Sequence, residues 1–442
     1  MTTEDALDRS LRLMRQDIFT EDIPTRVLVD GITGTRVRLS ADDRNLASRN
    51  GQTVTVTLAI LLAMMGTSIE LDIESTPLVG SQPPLRGNEL LTGLQDLGAD
   101  LIPGVGITTR LRRPDITFAI GDTPSSQTPV VRVSGGEATC TVGSHAPARQ
   151  WAGDQPFGAL MAAATAAAEA LRIMAERVSV IAGVPLTCEH TYELSRHSTL
   201  QLPGLSGTDR QSLDLGRVDF VSAGAITTAA LYCLLRVPHL GGRLRIVDDA
   251  IFELTNLNRY PLMRRSDSGR VKVDILRGAS ADGLEISGVN ARFDEKWQRQ
   301  LGELSPLVVV GADEIPVRWR VQRADPAWLC VGATSHFMAM VSTHESMTPC
   351  AGCTHPRNDI GPGAVEIVPT ISFVSFWGGL MQAVQLVARL AERPAGDHWL
   401  VWPLGLGGSR PILFGSTAPT RDCPVGCLAS MRARPRGAVP TR

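Results

Sequence analysis

Lysine occurs at only two positions in a chain with 43 basic residues, Lys272 and Lys296, so arginine supplies nearly all of the positive charge. An ammonium is a compact point charge on a flexible stem, whereas guanidinium is a planar fork suited to fixed bidentate contacts. A compositional preference for arginine accounts for the scarcity of lysine but not for the address of Lys272. It closes residues 247–272, VDDAIFELTNLNRYPLMRRSDSGRVK, a stretch that also carries Asp248, Asn256 and Arg259. A mobile cation there can follow a phosphate through a reaction, and an acid at Asp248 can accept from ribose hydroxyls.

The elements that must position these groups are visible upstream. The segment RVDFVSAGAITTAALYCLLRVPHLGGRLRIVDD reads as an apolar strand (218–221), a small-residue turn (222–225), a helix, and a second strand (244–247) ending at Asp248. In such a βαβ unit the backbone N–H groups at the helix N-terminus face phosphate. The fingerprint G-x-G-x-x-G appears as Ser222, Gly224 and Thr227, so only Gly224 is retained, and the unit alone reads equally well as a plain buried βαβ. Further on, LSPLVVVGADEIPVRWRV gives a fully apolar strand followed by Asp313. A carboxylate at the exposed end of a parallel strand suits a hard cation that keeps several waters, or simply ends the strand in a turn.

Together these residues resemble the ThiF/MoeB-type adenylyltransferases, the superfamily of the ubiquitin-activating enzymes, whose pattern is an acid, then N-L-x-R-Q, then a lysine. Asp248, Asn256, Leu257, Arg259 and Lys272 match it. The resemblance implies that Asp248 binds the ribose of ATP, Asn256 and Arg259 hold phosphates, Lys272 stabilises charge on them, and Asp313 holds Mg2+. It also implies an arginine reaching in from a partner half, for which Arg12 or Arg15 in LRLMRQDIF is the candidate. Tyr260 departs from the family's glutamine, and Ala250 stands where a second acid is common.

Four of the eight cysteines form two short-spaced pairs, Cys350/Cys353 and Cys423/Cys427. Two such knuckles can converge on a tetrahedral structural Zn2+; a disulfide framework is the less favoured alternative. In the resembling family a four-cysteine zinc site ties the loop after the catalytic sheet to the C-terminal tail. The remaining cysteines sit singly. Cys330 lies in the strand-like WLCVGAT, Cys140 and Cys233 have no evident activating base, and Cys188 near His190 is the one loop candidate for a thioester nucleophile.

An internal repeat sets the architecture. QPFGALMAAATAAAEALRIMAERV and FWGGLMQAVQLVARLAERP are Ala- or Gly-rich helices with the same ending, and QTVTVTLAILLAMMGTSIELDI reads as a strand-like or turn segment, an apolar helix and a strand ending at Asp72. The expected fold is α/β: two Rossmann-like, ThiF-type halves forming an intrachain pseudo-dimer. Residues 1–190 would be the nucleotide-silent half, because they lack the N-L-x-R motif, the lysine and the knuckles. Residues 191–442 would be the active half with the zinc site, and the break falls in the polar stretch 187–217. By resemblance, ubiquitin-activating enzymes also join a silent half to an active one.

A net charge of −2 gives no electrostatic footprint for nucleic acid. The longest apolar run, residues 58–65, falls well short of a bilayer span, and with no signal sequence the cytoplasm is the expected compartment. The leading expectation is ATP- and Mg2+-dependent adenylation of the C-terminal carboxylate of a ubiquitin-like or sulfur-carrier-like protein, or of a peptide, with no resident thioester; further homodimerisation stays open. A non-catalytic ThiF-like peptide-binding partner in a modified-peptide pathway is the alternative. A dinucleotide oxidoreductase is disfavoured for want of any hydride-handling constellation.

Overall fold

The structure, a computed structural model, describes residues 2–110, 112–123, 129–187, 198–203, 205, 212–345, 349–356, 368–393, 396–405, 412–415 and 418–427. After α1 (Thr3–Asp17) and α2 (Thr25–Thr33), a first sheet is built from β1 (Arg36–Ala41), β2 (Ser68–Asp72), β3 (Ile107–Thr108), β4 (Ile116–Ile120), β5 (Val130–Gly135), β6 (Thr139–Gly143) and β7 (Ser198–Gln201). Its helices are α3 (Asp43–Leu46), α4 (Arg49–Met64), α5 (Leu90–Ala99) and α6 (Phe157–Ala182). The second sheet comprises β8 (Leu213–Val221), β9 (Leu240–Val247), β10 (Leu284–Val289), β11 (Leu307–Val310), β12 (Trp328–Ser335), β13 (Met338–His344), β14 (His398–Val401) and β15 (Ile412–Gly415). With it run α7 (Ala225–Leu234), α8 (Lys272–Arg277), α9 (Trp297–Leu301), α10 (Ile315–Arg323), α11 (Ala351–Thr354) and α12 (Ser372–Leu390).

The two sheets share one plan, as expected of two Rossmann-like halves. The first is ordered β3-β2-β1-β4-β5-β6-β7 and the second β10-β9-β8-β11-β12-β13-β14-β15. In each, the first five strands are parallel and the rest antiparallel. Strand order reverses between β1 and β4, and again between β8 and β11. Ligands in open parallel sheets bind beyond the carboxyl ends of the strands at such a reversal. Strands such as Leu307–Val310 are uninterrupted apolar runs because both of their faces are covered.

Two expectations need correction. QTVTVT is not strand-like but the body of α4, and Asn50 through Met64 are all buried. Its Thr/Val alternation mimics a strand, yet Ser48 caps the helix by accepting from Gly51 N, and the Thr55 hydroxyl donates to the Gly51 carbonyl one turn back. The Thr57 hydroxyl finds Tyr232 OH at 2.8 Å, in the other half. The first sheet also runs past residue 190, since β7 pairs with β6; the change of sheet falls between Gln201 and Leu213.

The halves are held together by buried polar bonds and by α12, which packs on both α7 and α6. The Ser372 hydroxyl donates to the Leu61 carbonyl at 3.0 Å, and Arg264 to the Pro84 carbonyl at 2.6 Å. Helix α6 is long and apolar enough to cross a membrane by length and composition, although Thr165 and Glu169 divide it into shorter apolar runs. It is a core helix here, with most of its length buried inside the protein.

Candidate nucleotide site and four-cysteine cluster

A cleft of about 400 Å³ opens at the carboxyl end of the second sheet, where the strand order reverses between the paired β8 and β11. Gly224, Asp248, Arg259, Lys272 and Asp313 all line it, so five sequence-selected residues converge on one space.

The turn after β8 keeps the conformation of a glycine loop with few glycines. Ser222 sits at φ +85°, a left-handed conformation that ordinarily favours glycine. Its hydroxyl accepts from Gly224 N at 2.9 Å, and a Cβ on Gly224 would fall 2.9 Å from that oxygen. Thr227 stands where the third glycine is expected. Close approach is supplied from the opposite strand end instead, since a Cβ on Gly311 would lie 2.5 Å from Thr227 Oγ1. The N-terminus of α7 therefore still presents backbone N–H groups to the cleft.

Asp248 is partly engaged by the loop: Ala223 N donates to its Oδ2 at 2.6 Å and Ala250 N to its Oδ1 at 2.7 Å. Each oxygen retains a lone pair for a hydroxyl donor. Lys272, the first residue of α8, donates from Nζ to Tyr260 OH at 3.2 Å and lies 5.1 Å from the centroid of that ring. Burial works against its charge, but Tyr260 and Asp248 outweigh it and hold its pKa above the ordinary lysine value. The departure at Tyr260 is thus built into the site as a rest for the ammonium. Arg259 is buried, which depresses its pKa, and its Nη1 donates to the Thr255 carbonyl at 2.6 Å and to Asn258 Oδ1 at 2.7 Å.

Asn256 does not line the cleft. Its Oδ1 accepts from Glu253 N at 3.1 Å and fixes the turn that leads to Arg259. Asp313 lies just past β11, exposed at the cleft, with Oδ1 accepting from Glu314 N.

From α1 it is Arg9, not Arg12 or Arg15, that reaches the cleft, and its Nη1 donates to the Val368 carbonyl at 3.1 Å. Arg12 pairs with Asp8, and Arg15 with Asp22 and Thr25. The i, i+4 spacing of Asp8 and Arg12 was the available signal that Arg12 is spoken for. Sequence reasoning also passed over Asn258, which is buried and donates to Ser10 Oγ at 2.8 Å and to the Thr370 carbonyl at 3.1 Å. It thereby joins α1 to Arg259. As the variable residue of N-L-x-R it gave no signal. A third such residue is Arg318, a buried guanidinium on the cleft wall whose burial lowers its pKa to about 10.

Cys350, Cys353, Cys423 and Cys427 meet in a cluster whose sulfur atoms all lie within 4.8 Å of one another. Cys350 Sγ is 3.9 Å from Cys353 Sγ and 3.3 Å from Cys423 Sγ, and Cys353 Sγ is 3.2 Å from Cys427 Sγ. Burial raises the pKa of the Cys330 and Cys233 thiols and pushes that of Cys140 up to about 12, so none of the three is primed as a nucleophile. Cys188 and His190 lie outside the described residues.

The ThiF family model matches residues 194–398. The chain is 28% identical over 242 residues to the SAMP-activating enzyme E1 of Haloferax volcanii, covering 52% of this chain and 87% of that protein. It is 32% identical over 133 residues to the uncharacterized protein y4jF of Sinorhizobium fredii, covering 30% of this chain and only 26% of that longer protein. Among solved structures, E. coli MccB bound to succinimide aligns with a TM-score of 0.39 and 16% identity over 48% of this chain and 66% of its own.

Proposed function

Taking residues 194–398 as a ThiF-family domain, we propose that the protein is an ATP-dependent adenylyltransferase acting on the C-terminal carboxylate of a ubiquitin-like or sulfur-carrier-like protein, or of a peptide. The observation that carries this reading is the convergence of Arg259, Lys272 and Asp313 on one cleft at the N-terminus of α7. A carboxylate is a poor electrophile. Attack of its oxygen on the α-phosphorus of ATP forms the acyl adenylate, breaks the bond to the β-phosphate oxygen and releases pyrophosphate. Such transfers are accelerated mainly by positioning and by neutralising charge. Arg259, Lys272 and, from the first half, Arg9 are proposed to neutralise phosphate oxygens, with the α7 N-terminus donating backbone N–H groups and Asp248 accepting from the ribose. The H. volcanii relative, a SAMP-activating enzyme E1, supports the same class of reaction.

Asp313 is the proposed holder of Mg2+, which when bound shields phosphate charge; an exposed carboxylate at a strand end is a fitting donor for a hydrated hard cation. Zn2+ is proposed for the cysteines. A tetrahedron with Zn–S near 2.3 Å needs S···S edges of roughly 3.8 Å; three of the edges here are 3.2, 3.3 and 3.9 Å, and all lie within 4.8 Å, a cluster compact enough to close around one ion. The first half is proposed as a nucleotide-silent partner, making the chain an intrachain counterpart of a dimer, and the cytoplasm as its compartment.

Pyrophosphate–ATP exchange tests the reading. Exchange that depends on a carrier protein or peptide, and that Asp313→Ala abolishes, is expected. Wild-type protein that exchanges with no carrier of either kind would give way to the non-catalytic binding module. Elemental analysis should find one zinc per chain, lost in Cys353→Ser together with thermal stability, because binding of a structural metal is folding free energy.

A further inference from the structure

The cleft and the cysteine cluster are separate features of the sequence, yet one short helix is bonded to both. Helix α10 begins two residues after Asp313. Arg318 Nε and Nη2 donate to the Ala312 carbonyl at 3.0 and 2.9 Å, gripping the residue immediately before Asp313. The opposite edge of the same guanidinium places Nη1 3.2 Å from His355 Nδ1. His355 is the C-cap of α11, the helix that carries Cys353.

Three further side chains of α10 make contacts of the same kind. Trp319 Nε1 donates to the His355 carbonyl at 2.8 Å, and Gln322 Oε1 accepts from Ala351 N at 2.9 Å. Arg323 Nη2 donates to the Pro424 carbonyl at 2.7 Å, between the cysteines of the second knuckle. The helix is therefore bonded to both knuckles along its length and to the end of β11 at its start. Arg318 suits the junction because a planar fork can hold a carbonyl on one edge and an imidazole on another, which an ammonium cannot do in fixed geometry.

We propose that the four-cysteine cluster and the cation-binding end of β11 form one coupled unit, with Arg318 as the positioning residue that fixes Asp313 and α10 as the strut between them. Metal at the cysteines and Mg2+–nucleotide at Asp313 then raise each other's affinity. The inference rests on the assignments of zinc and Mg2+–ATP made above. Linkage requires the effect to be reciprocal, and coupling of this kind typically amounts to roughly 5- to 150-fold.

The experiment is zinc transfer from the full-length chain to a chromogenic chelator, with and without Mg2+ and a non-hydrolysable ATP analogue. Zinc content is measured beforehand by elemental analysis and nucleotide binding by calorimetry. At equilibrium with the chelator, wild-type protein should hold zinc at least about fivefold more tightly when the nucleotide site is filled. Arg318→Lys should lose most of that protection and bind the Mg2+–nucleotide correspondingly less tightly while retaining one zinc. Gln322→Ala, which alters neither the cleft nor a cysteine, should move both readouts in the same direction and serves if Arg318→Lys does not fold. Wild-type protein that holds zinc and binds the nucleotide, yet holds zinc with one affinity in both conditions, overturns the coupling. Wild-type protein with no zinc, or with no nucleotide binding, overturns the underlying assignments and the coupling with them.

Discussion

The crevice beyond β1 and the cleft beyond β8 occupy the same place in two sheets of the same order, and they differ in what fills them. After β1 the chain places Asp42, whose Oδ1 accepts from Asn45 N and Nδ2 at 2.8 and 2.9 Å and whose Oδ2 accepts from Asp122 N at 2.7 Å. A Cβ on Gly121 would lie 2.1 Å from that carboxylate, and Asn45 Oδ1 accepts from the backbone N of the buried Trp151. The protein's own carboxylate thus collects the backbone donors of the first reversal. After β8 the corresponding turn is Ser222, Ala223 and Gly224, with little side chain, and the space stays open. Topology supplies a place for a ligand in both halves, and a few side chains decide whether one fits.

The sharpest way to break this contrast is by substitution on the two sides. Lys272→Arg preserves charge but not shape and should cost roughly a hundred- to a thousandfold in pyrophosphate exchange, the usual loss for one preorganised group. Asp72→Ala, at the end of β2 as Asp248 directly follows β9, should leave exchange within about twofold of wild type, while calorimetry finds one ATP per chain. Equal losses from the two changes would end the distinction between the halves. The first half is expected to contribute one arginine. Arg9→Ala should lower exchange by about tenfold or more, and Arg12→Ala should not, since Arg12 is held in a surface pair with Asp8.

A smaller effect separates the halves by pH. His344, in the second sheet, is buried with its pKa lowered to about 4, its Nδ1 facing the Pro349 carbonyl at 2.6 Å and its Nε2 facing Ser342 Oγ at 2.9 Å. Burial is the main cause of the shift. The unfolded chain binds this proton more readily than the native one, so the His344 contribution is complete above about pH 6.5 and is lost as pH falls toward 4, at most roughly 3 kcal/mol. Melting curves across that window should show a shallower acid loss in His344→Gln than in wild type. The least change is expected from Ser222→Gly. Relief of the positive φ is offset by glycine's extra chain entropy and by loss of the bond from Gly224 N, so stability should move by less than about 1 kcal/mol. A large loss in melting experiments would show instead that the Ser222 hydroxyl holds the loop in shape.

Local chemistry was more legible in the sequence than tertiary address. The βαβ unit and the cleft-lining Lys272, Arg259 and Asp313 could be read because strand ends, turns and motif spacing are properties of contiguous residues, and the four-cysteine cluster because its members come in two short-spaced pairs. What escaped depends on partners far along the chain. Arg9 could not be told from Arg12 as the cleft arginine without knowing which face of α1 meets the second half. Asn256 took a turn-fixing role because Glu253 N lay within reach. The helical state of residues 49–64 was hidden by Thr/Val alternation, and the hydroxyls that make it tolerable bond to Gly51 and to Tyr232. Arg318 carried no signal, since neither of its partners, Ala312 and His355, is near it in a recognisable pattern.

Helix α6 has a consequence for how the chain is made. One side of this apolar helix is covered by α12, whose last residue is synthesised about 200 residues later. At ordinary elongation rates of 5–20 residues per second, that delay is roughly 10 to 40 s. Throughout it, the side of α6 that α12 will cover stays open, while α2, α4, β5 and β6 of the first half cover the rest. Fragments ending near residue 190, which keep that side of α6 open, are expected to aggregate more readily than the full chain.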